Sequence, residues 1–444
     1  MNLYNHIRKE DKDLYKLLIA EEKRQREGLE LIPSENIVSQ AVREAMGSCL
    51  TNKYSEGYPH ARYYGGNEVI DDIETLARER AKKIFGVPYV NVQPYSGSPA
   101  NLAVYLATCQ PGEKIMGQLL TAGGHLTHGW KASATSMFYD AVQYGVRPDG
   151  YLDLKEIARL AKKHKPKLIW VGATAYVREF PFKELAKIAD SVGAFLAADI
   201  AHIAGLVVAG AHTSPVPYAH IVTTTTHKTL RGPRGGMIMV TKKGLAKDPE
   251  LGTKIDRAIF PNLQGGPHNH TTAGIAVALK EASTPAFRAY GKQIVKNAKA
   301  LARTLVRERV EVVSGGTDNH MVLVKCGTGR GAIVEIALDA IGLTTNKNTI
   351  PDEPSSPFYP SGIRIGTPSI TTRKMKEREM KLIGVWIAEV MRLTQREELP
   401  ADKTARKAYL AAFKKRAHAD PKLAKLHKQV KALCKKFSIP DSFV

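Results

Sequence analysis

Apolar positions change their spacing along this chain in a way that separates strands from helices. Between residues 90 and 240, short stretches rich in apolar or β-branched residues occur at 90–92, 114–116, 168–171, 195–198, 219–224 and 237–240, and those at 168–171, 195–198 and 237–240 are unbroken apolar runs. Between them, near 154–164 and 182–192, apolar residues recur every three or four positions. The runs predict strands covered on both faces, and the intervening period predicts the covering helices. Such alternation is that of a mainly parallel α/β sheet, whose ligands gather beyond the strand C-termini.

Upstream, 13–26 predicts a polar helix with Leu14, Leu17, Leu18 and Ile19 on its apolar side, able to wrap a partner or cap a domain. Ser39 is placed to cap the next helix, and Ser98 with Pro99 to open another that ends near Cys109. Residues 52–67, rich in Tyr and Gly, follow no single period and predict an ordered loop. Downstream, helices near 271–281, 286–308, 332–341 and 373–391 alternate with strands at 310–314, 321–325 and 362–365, and 346–360 is a Pro-rich loop. This predicts a smaller α+β domain. Residues 394–425 read as an added polar helical segment and 430–439 as a terminal helix and tail. The expected division is a helical arm (1–50), a large domain (51–285), a small domain (286–393) and a basic extension (394–444).

Charge alters this picture in one place. The formal net charge is +22, and 401–444 alone holds twelve Lys or Arg against three Asp or Glu. That concentration predicts a solvated basic face, with attraction of anionic ligands and a minor nucleic-acid role as further readings. No run of eighteen apolar residues and no apolar signal core are present, so a cytoplasmic protein without a membrane partner is expected. Cys49, Cys109, Cys326 and Cys434 are too scattered for a disulfide framework or a metal site.

Candidate chemistry concentrates at 223–236. There a strand runs into Thr225-Thr226-His227-Lys228 and then a Gly- and Pro-rich turn. A lysine at a strand end, flanked by hydroxyls and an imidazole, suits a Schiff-base nucleophile. A surface loop with one solvated lysine accounts for the same residues. Asp199 and His202 end a neighbouring strand on the same predicted edge. Ser96-Gly97-Ser98 opens a helix whose free N–H groups suit a phosphate or ordinary capping. His125 and His128, at i and i+3, supply only two ligands without a convincing acidic partner nearby in sequence. They are read as structural or hydrogen-bonded histidines, and no metal is expected.

These segments, in order and over most of the chain from about Leu31 to Trp386, resemble the motifs of the serine hydroxymethyltransferases, pyridoxal-phosphate enzymes that interconvert serine and glycine. The resemblance implies a fold-type-I architecture and a homodimer, possibly a tetramer, whose active sites are shared between subunits. It implies that Lys228 carries the cofactor, that Asp199 pairs with its ring nitrogen, that His125 stacks on the ring and that His202 contacts the ring's phenolic oxygen. Ser96, Gly97 and Ser98 would form the phosphate turn, with Gly265 and Gly266 reaching the phosphate from the partner subunit. Thr225 and His227 would flank Lys228, and Thr174 and Tyr54 would complete the cofactor contacts. Ser34 and Arg364 would hold the substrate carboxylate. Glu56, from the neighbouring subunit with Tyr54, would move the proton at the hydroxymethyl end, beside Tyr64. Asn346, Glu56, Leu120, Gly124, His125 and Leu126 would hold tetrahydrofolate or a modified folate.

Three positions depart from the family's usual pattern: Pro99 for glutamine, Thr174 for serine and Pro33 for alanine. None touches the lysine, the aspartate or the arginine. The segment 394–425 has no counterpart in that pattern. The implied reaction is folate-dependent transfer of serine's hydroxymethyl carbon, which leaves glycine. Its rivals are a folate-independent aldolase for threonine and related amino acids, and an RNA-binding role for the basic C-terminus.

Overall fold

A computed structural model describes residues 4–440. The chain divides into two compact units, one formed by Val38–Val295 and the other by Met1–Ile37 with Lys296–Val444.

The larger unit is built on a seven-stranded sheet. In chain order its strands are β1 (Tyr89–Asn91), β2 (Lys114–Gln118), β3 (Asp140–Tyr144), β4 (Leu168–Val171), β5 (Phe195–Asp199), β6 (Ile221–Thr225) and β7 (Gly236–Val240). They lie side by side in the order β1-β7-β6-β5-β4-β2-β3. Only β7 runs against its neighbours, so the expected mainly parallel sheet is present. Strands β4, β6 and β7 are buried at every position, which is why they read as continuous apolar or Thr-rich runs. Ile169, Leu196 and Val222 are fully covered, each contributing about 1.5–3 kcal/mol by leaving water. Parallel pairing sets Asp199, the last residue of β5, opposite Thr223. The loop after β6 therefore starts beside the carboxylate.

Several local expectations needed correction. The helix expected to start at Pro99 runs Gly97–Thr108, with Ser96 rather than Ser98 at its N-cap position and no side-chain cap bond there. Pro99 falls within the first turn, where no N–H has an intrahelical partner, so proline fixes the neighbourhood of the start but not its residue. The Tyr-rich loop contains a small hairpin, Gly57–Tyr58 with Ala61–Arg62, closed through His60 at φ 64°. The edge strand Asp140–Tyr144 was not foreseen, because half-buried edge positions break up the apolar run.

In the second unit, Met321–Lys325, Gly362–Gly366 and Asn346–Asn348 form an antiparallel sheet with the Gly362–Gly366 strand central. The start of the expected 346–360 loop is thus a strand. The strand expected at 310–314 is reduced to a single bridge, Val312 with Val324. Ser314 (φ 57°) and Gly315 (φ 67°) turn the chain away. The helix expected at 373–391 is two, Pro368–Thr372 and Glu377–Leu393, separated at Lys374, whose φ of 67° no helix accommodates.

The C-terminal helices are Ala405–Ala419 and Pro421–Lys436, so the second begins well before residue 430. Asp420 sets the break by accepting bonds from the N–H groups of Lys422 and Leu423. Nor is this region merely polar and appended. Phe413, Ala417, Leu423, Val430 and Cys434 are buried in this unit's core. Arg373 donates to the carbonyl oxygens of Gly28, Cys434 and Phe437. By contrast, Leu14 and Leu17 of the N-terminal helix Lys12–Glu27 face solvent. No helix among the described residues is long and apolar enough to cross a membrane.

Candidate active site

At the C-terminal edge of the sheet, Asp199 is held by three separate donors. Asn101 Nδ2 donates to Asp199 Oδ2 (2.9 Å), His128 Nε2 reaches the same oxygen (3.3 Å), and the N–H of Ala201 donates to Oδ1 (3.0 Å). Asn101 is itself fixed, because Thr223 Oγ1 donates to its Oδ1 (2.7 Å). The N–H of His125 donates to His128 Nδ1 (3.4 Å), which leaves the proton on His128 Nε2, facing the carboxylate. Trp170 stacks beneath His128, with ring centroids 5.1 Å apart and planes 11° from parallel. Burial alone would raise the carboxyl's pKa. The hydrogen bond donated by His128, with the nearby Lys228, outweighs it and holds Asp199 well below the usual carboxylate range. The result is a buried carboxylate that stays ionised.

His125 lies beside this group in the opposite state. Its Nδ1 is 2.7 Å from Thr127 Oγ1 and accepts from the N–H of Thr127 (3.3 Å), so Nδ1 carries no proton. Burial lowers its pKa to about 4, and the ring is neutral at pH 7. The acidic neighbour that sequence proximity did not provide for His125 and His128 arrives through the fold as Asp199. Ligand atoms of the three lie within 4.8 Å of one another. His128 Nε2 is already engaged by Asp199, and His125 Nδ1 by Thr127.

Beyond β6 the Lys228 loop is pinned from both sides. Thr226 Oγ1 donates to the carbonyl of Pro233 (2.6 Å), and Thr229 Oγ1 donates to the carbonyl of His202 (2.9 Å). Arg231 turns the chain at φ 60°. Thr225 Oγ1 points to the carbonyl of Ala201 (3.4 Å), and a Cβ on Gly97 would lie 2.8 Å from Thr225 Cγ2. The start of the Gly97–Thr108 helix thus closes on the end of β6 only because Gly97 lacks a side chain. His227 is largely buried, its Nδ1 has no hydrogen-bond partner, and burial, with Arg234 and Lys228 nearby, lowers its pKa to about 3. Thr174 donates to the carbonyls of Gly123 (3.2 Å) and Gly124 (2.9 Å). It thereby holds the segment that carries Leu120, Gly124, His125 and Leu126.

Two other groups form elsewhere. In the larger unit, Tyr54 OH donates to Glu56 Oε1 (3.2 Å), and Tyr54 and Tyr64 meet edge to face at 5.2 Å. Cβ atoms on Gly265 and Gly266 would lie 3.0 Å from Glu56 Oε1 and 3.2 Å from the Tyr54 ring. Five residues expected to act from a partner subunit or beside such residues are therefore neighbours. In the smaller unit, Asn346 and Arg364 pair across two strands, and Arg364 Nε donates to Asn346 Oδ1 (3.1 Å). Arg364 is buried, which brings its pKa down to about 10. The turn containing Ser34 is tied to the same strand: the N–H of Gly366 donates to the carbonyl of Leu31 (2.7 Å).

The comparison with known proteins is decisive here. The family model for serine hydroxymethyltransferase matches residues 7–387. The chain belongs to the serine hydroxymethyltransferase family. Serine hydroxymethyltransferase from Acidothermus cellulolyticus is 55% identical over 384 residues, covering 86% of this chain and 88% of the relative. The same-named protein of Sorangium cellulosum is 56% identical over 384 residues, with 86% and 89% covered. The fold-type-I architecture of this family agrees with the observed sheet.

Sequence reasoning missed Asn101, Thr127, His128 and Trp170 as the support of Asp199. A signal existed for Asn101, a polar residue among the buried apolar positions Ala100, Ala103 and Val104. No sequence spacing connects His128 to Asp199.

Two expectations concern this site's construction. Gly172, at φ 141°, has Asp199 O 2.2 Å from where a Cβ would stand. Gly172→Ala should therefore cost roughly 2 kcal/mol or more through overpacking and strain. Urea unfolding checks this, and an unchanged midpoint would contradict it. His125 and His227 titrate below the ordinary 6.5 of an unfolded histidine. Between pH about 6.5 and 4 the unfolded chain takes up protons that the native state refuses. Stability should fall as pH drops through this window, by up to about 1.4 kcal/mol per pH unit for each ring. His227→Asn should make that fall shallower, and parallel pH profiles for the two proteins would count against the assignment.

Proposed function

We propose that the Asp199–Lys228 cluster is the cofactor centre of an enzyme that interconverts L-serine and glycine. Tetrahydrofolate is the one-carbon acceptor and 5,10-methylenetetrahydrofolate the product. The observation that carries the reading is a buried carboxylate, kept ionised by His128, at the strand end beside a lysine loop. Pyridoxal phosphate fits these residues. It asks for an anion opposite a ring nitrogen, a lysine for its carbonyl and donors for its phosphate. The cluster offers Asp199, Lys228 and a helix N-terminus that must begin with glycine. His227 Nδ1, buried without a partner, is one further polar atom such a ligand can satisfy. When bound, this cofactor supplies the electron sink that lets a bond at the amino acid's α-carbon break.

The chain's own residues do the rest. Asp199 would hold the proton on the ring nitrogen, and His125, neutral and fixed by Thr127, would pack against the ring. Ser96, Gly97 and Ser98 receive the phosphate, assisted by Gly265 and Gly266. His202, Thr225 and Thr174 complete the contacts. Arg364 grips the substrate carboxylate through paired N–H donors, with Ser34 assisting. Glu56 gives and takes the proton at the hydroxymethyl oxygen, next to Tyr64 and Tyr54. Asn346, with Leu120, Gly124 and Leu126, receives the folate.

We further propose a cytoplasmic homodimer in which Tyr54, Glu56, Gly265 and Gly266 serve the partner's centre. Their grouping in one chain, with Tyr54 and Tyr64 about half exposed, supports that arrangement. Glycine formation from serine, followed with and without tetrahydrofolate, tests the reaction. Strong dependence on folate is expected. Equal rates, or preferential cleavage of threonine, would instead favour the aldolase.

A further inference from the structure

The family model stops at residue 387, yet the segment beyond it makes specific contacts with the loop that joins the Asn346 and Arg364 strands. From these contacts we infer that residues 394–419 are a brace that sets the position of the 349–361 loop and so tunes folate binding. The inference rests on Asn346 as a folate residue. It adds positioning residues that lie beyond the stretch matched by the family model.

The loop has an internal lock. Glu353 accepts from the N–H groups of Ile350 (3.2 Å) and Ser361 (3.0 Å) with one oxygen, and from the N–H of Ser355 (2.9 Å) and the hydroxyl of Ser361 (2.5 Å) with the other. Nothing comparable anchors its outer end by apolar packing: Phe358 is 80% exposed. There the added segment takes hold. Arg406 lies over the Tyr359 ring, 5.1 Å from its centroid, and Arg406 Nε donates to the carbonyl of Pro400 (2.9 Å). A Cβ on Gly329 would meet Ser355 Oγ (3.3 Å), the carbonyl of Tyr359 (3.7 Å) and Leu399 Cδ1 (4.0 Å), which places Leu399 against the same end of the loop.

The brace is itself stiff. Glu397 Oε2 accepts from Tyr409 OH (2.5 Å) and pairs with Arg416 (2.7 Å). Arg330 donates to the carbonyls of Glu397 (3.2 Å) and Thr394 (2.6 Å). Helix Ala405–Ala419 is fastened by buried Phe413 and Ala417. Movement of Arg406 therefore does not require this helix to leave the core. Moving the loop end, however, shifts the strand ends at Asn348 and Gly362, which are paired with one another in register.

The test uses the cofactor-loaded full chain with glycine present and measures tetrahydrofolate affinity by calorimetry, together with steady-state constants and the melting temperature. Arg406→Ala should raise Kd and KM for tetrahydrofolate about 3- to 10-fold, the range of a partly exposed cation–π contact. It should leave kcat at saturating folate, KM for serine and melting temperature nearly unchanged. Tyr359→Phe keeps the ring and should be silent, whereas Tyr359→Leu should reproduce Arg406→Ala. The double variant Arg406→Ala/Tyr359→Leu should be no worse than either single change. An unchanged folate KM in Arg406→Ala overturns the brace, as does parallel loss of serine affinity, folate affinity and melting temperature. If the unsubstituted protein binds no folate, the underlying reading fails first, and that result is visible before any variant is made.

Discussion

Lys228→Ala should lower serine–glycine interconversion by at least about 10³-fold, the scale on which loss of a covalent nucleophile registers. The protein should remain folded. The loop is held by hydrogen bonds from Thr226 to Pro233 and from Thr229 to the His202 carbonyl, and none of these involves the lysine side chain. Circular dichroism and melting should therefore match the parent. The visible absorbance of the cofactor-loaded protein should lose the band that depends on covalent attachment. A variant retaining more than about a tenth of the parent rate would show that Lys228 is not the nucleophile.

Asp199→Asn is the second large effect, and it separates charge from shape. Asparagine preserves the size and a carbonyl oxygen for Asn101 and His128 to reach, while its amide nitrogen then faces the N–H of Ala201 and loses that one bond. What disappears is the anion. Removing one partner of a buried, hydrogen-bonded charge pair costs about 2–5 kcal/mol, which corresponds to a rate loss of roughly 30- to 5,000-fold. Cofactor attachment at Lys228 should persist, because that bond is made elsewhere. An Asp199→Asn enzyme with near-parental kcat would mean that the anion does not set the ring's protonation state, and the account of Asp199 would fail.

Much of this architecture was legible because its causes are local. Strands buried on both faces must be apolar or Thr-rich along their length, so β4 to β7 were readable. A helix N-terminus shaped by glycine and proline was readable to within two residues. The segments at 223–236 and 361–364 were legible as a lysine past a strand end and an arginine in a short strand. What stayed hidden depended on the fold. His128 meets Asp199 across 71 positions, and Asn101 meets it across 98, so no period or spacing could pair them. The C-terminal helices misled in another way. Their lysines dominate the composition, while Phe413, Leu423 and Val430, spaced to face the core, decide where they pack. The 310–314 run looked like a strand because its apolar residues are β-branched, but Ser314 and Gly315 adopt left-handed backbone and end the pairing.

The most direct test of the central claim is where the cofactor becomes covalently fixed. Cofactor-loaded protein is treated with borohydride, digested, and its peptides are weighed and sequenced by mass spectrometry. The account predicts a single reduced pyridoxyl-phosphate adduct on the peptide containing His227 and Lys228, located on Lys228. An adduct on another lysine, or none from folded protein that has taken up the cofactor, would contradict it.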